Sequence, residues 1–340
     1  MSLHTRHIRR LLLLALLVLS AVLVLGATGA RAGFPGQNGR IVFTDGDADP
    51  GIFTMNSDGA GVVPVGEGTW PSWSADGSKI AFESGGNIWT MNADGTGRTQ
   101  VTTLGGSWPT WSPDGTKIAF LSTRDNNYEI YRINADGTGE ANLTNHLMDD
   151  GYPAWSPDGT KIAFISSRGG GLDILVMNPD GSYVTNLTNG VGVNWMPDWA
   201  PDGAKIAMQS LRYPSNDDEI WVMNADGTGL VNLTQSPETD RQPVWSPDGS
   251  KIAFLRVLGH NYDVYVMNAD GTNQTDVTNT ADVSEQRPSW QAVMPVSGLS
   301  FEPVLPDGRE SNSLQALAVA ALGVTVLLAT AAWRALRVGR

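Results

Sequence analysis

Two short signatures alternate along this chain, six copies of each, and they constrain the fold more than anything else in it. A Pro-x-Trp places tryptophans at 73, 111, 155, 199, 245 and 290, spaced 38, 44, 44, 46 and 45 residues apart. A Met/Ile-Asn-x-Asp-Gly begins at 55, 91, 133, 177, 223 and 267. Between them runs an apolar stretch: Arg-Ile-Val-Phe at 40–43, Lys-Ile-Ala-Phe at 79–82, 117–120, 161–164 and 251–254, and Lys-Ile-Ala-Met at 205–208. Self-similarity at a fixed period of this length marks a repeat architecture.

One unit, YPAWSPDGTKIAFISSRGGGLDILVMNPDGSYVTNLT at 152–188, parses into four strands. YPAW is a short first strand. In SPDG, Pro presets φ for the turn, Asp bonds the local backbone and Gly accepts positive φ. KIAFIS follows, with β-branched and aromatic residues suited to a sheet packed on both faces. LDILVMN is the third strand, NPDG a second tight turn, and VTNLT the fourth strand. Four antiparallel strands every ~40–45 residues are the blade of a propeller. A helical solenoid would need apolar stripes at 3.6-residue spacing, and none is present. The sequence predicts an all-β, six-bladed propeller over residues 33–291.

The ends of the repeat array are complementary. The first apolar run, at 40–43, has no Trp strand before it, and the last, RPSWQ at 287–291, has no strands after it. Residues 287–291 are therefore predicted to supply the innermost strand of a blade whose other three strands come from residues 39–66. Pairing the termini would leave neither half-blade with an open edge.

Segments outside the repeats carry targeting signals. Residues 1–32 have a basic start (Arg6, Arg9, Arg10), an apolar run from Leu11 to Gly26 and a small-x-small site at Ala30–Ala32. This reads as a signal peptide cleaved before Gly33. The apolar run directly behind Arg9-Arg10 favours the ordinary secretory route over the twin-arginine one. Residues 314–333 hold no charge and number 20, enough to span about 30 Å of hydrocarbon as a transmembrane helix. Arg334, Arg337 and Arg340 follow in a basic tail, 334–340, which the positive-inside rule puts in the cytoplasm. Residues 292–313 read as a linker. LPDGR at 305–309 faintly resembles a sortase sorting signal but has no Thr before its Gly, so a retained helix is preferred. The expected location is thus the cell membrane, single-pass, with the propeller outside.

Charge sorts the same way. The two terminal segments hold seven of the 22 basic residues, leaving 15 against all 35 acidic ones, a net charge near −20 on the part between. Such a surface repels phosphate backbones, which sets nucleic acid aside as a partner. With no cysteine, disulfides and thiolate metal or redox sites are excluded.

The alternation of Trp-Ser-Pro-Asp-Gly-x-Lys-Ile-Ala-Phe with Ile-Tyr-x-Met-Asn-x-Asp-Gly resembles the TolB-like β-propeller repeat over residues 38–291. The resemblance implies a six-bladed propeller that serves as an extracytoplasmic protein-binding platform. The family's namesake carries an α/β domain before its propeller and works with a peptidoglycan-associated partner. Here the blades begin about ten residues after the expected cleavage site, so that role is not carried over.

The first–second and third–fourth turns, SPDG and NADG, are stereotyped and share one face. The second–third loops and the inter-blade crossings differ in every copy and share the other, where function is expected. The residue before each repeat's Pro should ring the channel mouth there: Trp70, Trp108, Tyr152, Met196, Gln242 and Arg287. With Asp149, Asp150, Asp240 and Glu285 they make an aromatic, mostly acidic rim suited to a peptide, protein segment or sugar. Packing between blades is the bland alternative for those aromatics.

Catalysis has thinner support. His146 and His260 are the only propeller histidines and lie about two blades apart, a poor start for a metal site. No Gly-x-Ser-x-Gly elbow occurs, so the hydrolase domain that follows similar propellers is not found. Asp45, Asp47 and Asp49 resemble part of a calcium loop, but Pro50 stands where its Gly belongs and Asn56 where its bidentate Glu belongs. The sequons at Asn142, Asn186, Asn232 and Asn273 recur because the fourth strand does, and read as structural. The reading is a monomeric, non-catalytic binding propeller without cofactor. The alternative is an extracytoplasmic hydrolase or lyase acting on a surface polysaccharide or peptide through loop carboxylates or the two histidines.

Overall fold

The computed structural model describes residues 36–46, 50–213, 217–280 and 284–293. The expected signal peptide, transmembrane helix and basic tail lie outside these residues, as does the expected linker from residue 294 on. Its first two residues, Ala292 and Val293, instead continue the last strand of the propeller, paired with Asn38 and Gln37. No helix among the described residues is long and apolar enough to cross a membrane.

The described residues form six four-stranded antiparallel sheets. Five are built from consecutive strands, with inner strands Thr69–Trp73, Ser107–Trp111, Asp150–Trp155, Val193–Trp199 and Asp240–Trp245, for blades 2 to 6. Blade 1 joins the two ends of the array. Its inner strand, Glu285–Val293, pairs with Gln37–Asp45, which pairs with Gly51–Met55 and then Val63–Glu67. Ile41 lies opposite Trp290 and Val42 opposite Ser289. The ring closes as the surplus and missing strands require.

Each tight turn is held by its own side chains. In blade 4, Ser156 Oγ donates to Asp158 at 2.6 Å and accepts the Lys161 N–H at 2.8 Å, while Thr160 N donates to Asp158 at 3.0 Å. Burial works against ionisation of Asp158, but the bonds from Ser156 and Thr160 prevail and hold its pKa below the usual carboxylate range. The same set recurs at Asp76, Asp114 and Asp248.

The core is a ring of six clusters, one at each junction between blades, and the Lys-Ile-Ala-Phe run explains it. Successive side chains of a strand point to opposite faces. Ile162 and Phe164 pack back against blade 3 with Ala119 and Trp155, whereas Ala163 faces forward and packs with Trp199 of blade 5. Ile118 and Phe120 likewise face blade 2, and Ala119 faces Trp155. The small residue makes room for the next blade's indole. All three positions of the run are fully buried in blades 2 to 6. Blade 1 has Val42 in the small position, packed with Trp73.

Candidate functional site

Every inner strand carries a bulge at the same place. Register slips between Thr69 and Ser72, Ser107 and Thr110, Gly151 and Ala154, Trp195 and Asp198, and Arg241 and Val244. In blade 1 the ladder slips twice, between Asn38 and Ile41 and between Val42 and Thr44, and the second slip is the equivalent one, opposite Arg287-Pro288. The second bulged residue is always the Pro, which has no N–H to leave unpaired. The first adopts positive φ: Trp70 at 51°, Trp108 at 48°, Tyr152 at 51°, Met196 at 49°, Gln242 at 53° and Arg287 at 62°. An L-residue pays roughly 1–2 kcal/mol for this left-handed conformation. Six such residues at equivalent positions are what a bulge achieves when it re-aims a side chain.

All six line one cavity of about 180 Å³, together with their prolines and the following residues. The sequence placed these positions together, and the structure does so. Each sits near the start of its inner strand, at the end where the crossings arrive, so the mouth opens on the variable face.

Its chemistry is uneven around the ring. Trp70 and Trp108 stack with centroids 3.9 Å apart, and Tyr152 meets Trp108 edge-on at 4.7 Å. The Arg287 guanidinium lies 5.4 Å from the Trp70 ring and 4.9 Å from the Trp108 ring, with Nη1 3.8 Å from Met196 Sδ. Its backbone N–H donates to Gln242 Oε1 at 3.0 Å. Burial pushes the Arg287 pKa down to about 10 and raises that of Tyr152. Packing and lining are therefore both true of the aromatics: they touch one another and also wall the cavity.

The acidic rim expected from sequence takes a different form. Asp150, Asp240 and Glu285 are buried at the starts of inner strands. Asp240 accepts both Nε and Nη2 of Arg256 at 2.7 and 2.8 Å, and Asp150 accepts Arg168 Nη2 at 2.5 Å. Burial nonetheless raises the pKa of both carboxyls above the ordinary value. Glu285 accepts Thr280 Oγ1 at 2.8 Å, and burial pushes it up to about 7. These three brace the blades from within, because a carboxylate at a blade seam must be paired or neutral. Asp149 alone is exposed, and it accepts the Tyr128 N–H at 3.0 Å.

Asp45 accepts the Gly51 N–H at 2.6 Å, closing its hairpin; Asp47 and Asp49 lie outside the described residues. His146 Nδ1 accepts the Met148 N–H at 3.1 Å, and His260 sits in the hairpin between Leu258 and Asn261. Among the described residues, no three or more His, Cys, Asp or Glu side chains converge as metal ligands would. The sequon threonines serve the scaffold: Thr144, Thr188 and Thr234 Oγ1 each accept the N–H of the third-strand residue Ile130, Ile174 or Ile220 at 3.0 Å.

Two features went unread in the sequence. Glu129, Asp173 and Glu219 open the third strands and tie down the crossings, as when Glu129 accepts His146 N–H and Asp173 accepts Gly190 N–H, both at 2.8 Å. The signal was there: an acid precedes Ile in YEIYRIN, LDILVMN and DEIWVMN. The second is Asp198. At the position between Pro and Trp, the six copies hold Ser72, Thr110, Ala154, Asp198, Val244 and Ser289, of which one ionises. Asp198 lies at the junction of the mouth with a deeper cavity of about 80 Å³. It faces the lumen but is encircled by protein, and burial pushes its pKa up to about 7 against the Trp245 N–H donated to it at 2.7 Å.

Six radial four-stranded blades around a lined channel define a six-bladed β-propeller. The family model described as the TolB beta propeller domain matches residues 69–294, and the chain belongs to that family. TolB from Acinetobacter baumannii is similar in structure at 23% identity, with a TM-score of 0.64 over 77% of this chain and 69% of that one. The putative TolB from Agrobacterium tumefaciens is 24% identical, with a TM-score of 0.61 over 75% of this chain and 92% of that one. An oligogalacturonate lyase in complex with manganese shares 16% identity, with a TM-score of 0.51 over 67% of this chain and 70% of that one. A search of curated protein sequences found no match.

Proposed function

We propose that this protein is a non-catalytic binding propeller, held at the cell membrane by its 314–333 segment, which takes a segment of a partner protein into the channel mouth on its extracytoplasmic side. One observation carries the reading: six bulged residues, each in a costly left-handed conformation, converge on a single cavity. Fold alone would be served by a regular strand.

The surroundings suit a protein partner. Leu104, Tyr128, Leu147, Met148, Val191 and Tyr213 are exposed on the crossings and second–third loops, Leu147 at 93% and Tyr213 at 98%. The opposite face is made of the stereotyped turns. Family membership points the same way, and the signal-like and apolar terminal segments support the envelope location. A glycan is the less favoured ligand, because the flat rings of Trp70 and Trp108 are already engaged with each other and with Arg287.

A photo-crosslinking residue in place of Tyr152, in intact cells, should capture a discrete partner. Trp108→Ala in the same background should reduce capture, whereas a crosslinker at Asp114 on the turn face should capture nothing specific. Equal capture from both faces would refute the reading.

A further inference from the structure

We infer that the channel mouth is a receptor for a single carboxylate carried on a peptide, held by the Arg287 guanidinium; this rests on the binding role just proposed for the mouth. Other arginines of the variable face have side-chain oxygen partners: Arg124 with Glu140, Arg168 with Asp150, Arg241 with Asp218, Arg256 with Asp240, and Arg212 with Ser210 and Asn194. Among the described residues Arg287 has none. Its guanidinium meets two indole rings and a thioether, and its Nε is buried without a hydrogen-bond partner. A buried cation left in this state is costly unless an anion completes it.

The geometry selects the anion. A guanidinium packed against aromatic faces is weakly hydrated, and its planar N–H groups match the two oxygens of a carboxylate. The net charge near −20 between the terminal segments opposes polyanions, so one compact charge is admitted where several are repelled.

The carrier is read from the adjoining space. Next to the mouth lies a pocket of about 310 Å³ shared with Arg287 and lined by Gln209, Gln242, Gln286 and Arg241. Gln209 Oε1 is buried there without a donor. Side-chain amides offering both donors and acceptors match the alternating N–H and C=O of a peptide backbone. Together the two spaces fall in the ordinary range for a ligand site, roughly 300–1,000 Å³.

The test uses the full chain, purified in detergent and immobilised, with a random heptapeptide mixture blocked at both ends so that only Asp and Glu carry carboxylates. The retained peptides should be enriched in Asp and Glu. Methyl esterification of the mixture should lower retention about tenfold or more, as expected for loss of a charge-assisted bond. Arg287→Gln should lower it similarly, and Arg287→Lys should restore part. If Arg287→Gln does not fold, the esterification arm on the unmodified protein decides alone. Esterified peptides retained as well as free ones would refute the carboxylate role and leave the peptide-binding reading standing. No retention of any peptide would refute both. Full displacement by equimolar inorganic phosphate would overturn the choice of anion.

Discussion

Asp198 offers a sharp physical test, because its carboxyl sits where charge is least welcome. Burial pushes its pKa up to about 7, so between about pH 4 and pH 7 the unfolded chain has released a proton that the folded one still holds. Stability therefore falls as pH rises through that window and levels off above it. A displacement of this size corresponds to on the order of 4 kcal/mol at pH 8, an upper value because the carboxyl also borders the lumen. Asp198→Asn keeps the shape and the acceptor for the Trp245 N–H, 2.7 Å away, and cannot ionise. For a domain of this size about 1 kcal/mol moves the melting midpoint by roughly 2 °C. The variant should melt with the parent protein at pH 4 and about 4–8 °C above it at pH 8, followed by tryptophan fluorescence. Glu285, also near 7, is present in both proteins and cancels in the difference. Coincident pH profiles would show that the carboxylate is fully solvated and that the channel at this depth is open to bulk water.

Other outcomes follow from the packing and the turns. Ala163→Leu should destabilise by about 1–3 kcal/mol, since the position is fully buried against Trp199 of the next blade; urea titration checks it. Ser156→Ala removes the Oγ bonded to both Asp158 and the Lys161 N–H and should cost about 1 kcal/mol by the same assay. Gln235→Gly should stabilise by up to about 1 kcal/mol, because this exposed residue has φ of 42°, and a lower melting point would contradict that. Gly39→Ala should weaken ring closure, because a Cβ there would lie 2.8 Å from the Gln291 carbonyl oxygen; faster amide exchange confined to blade 1 is the expected signature.

Much of the architecture was legible because the information is repeated. Trp73 to Trp290 count the blades, and the surplus strand at 287–291 names its own partner. The six mouth positions were readable because Pro follows each at fixed spacing. Their positive φ was not, since nothing local marks Met196 or Gln242 as left-handed; the bulge is imposed by the neighbouring strand's register. The acids were misread for a similar reason. Asp240 and Arg256 are 16 residues apart in sequence but directly opposite across two strands, so an apparent free charge becomes an internal pair once the hairpin forms. Asp198 was visible as the odd member of a column, yet its meaning depends on the lumen that encircles it.

The closure of blade 1 has a mechanical side. Gln37 lies opposite Val293 and Asn38 opposite Ala292, so the chain enters and leaves the ring at one corner. Tension drawn on residue 293 by a tether, against a load on the ring, would peel this ladder bond by bond instead of shearing it all at once. That corner is fastened by more than the ladder. Gln291 Nε2 reaches the Gly77 carbonyl at 2.8 Å, Asn38 Oδ1 takes the Asp248 N–H at 3.2 Å, and Gly36 N donates to the Pro247 carbonyl at 3.3 Å. These rivets join the two strands of the seam to the turns of both flanking blades, so a pull on residue 293 must break the Gln291 bond to blade 2 while blade 6 holds the facing strand in place.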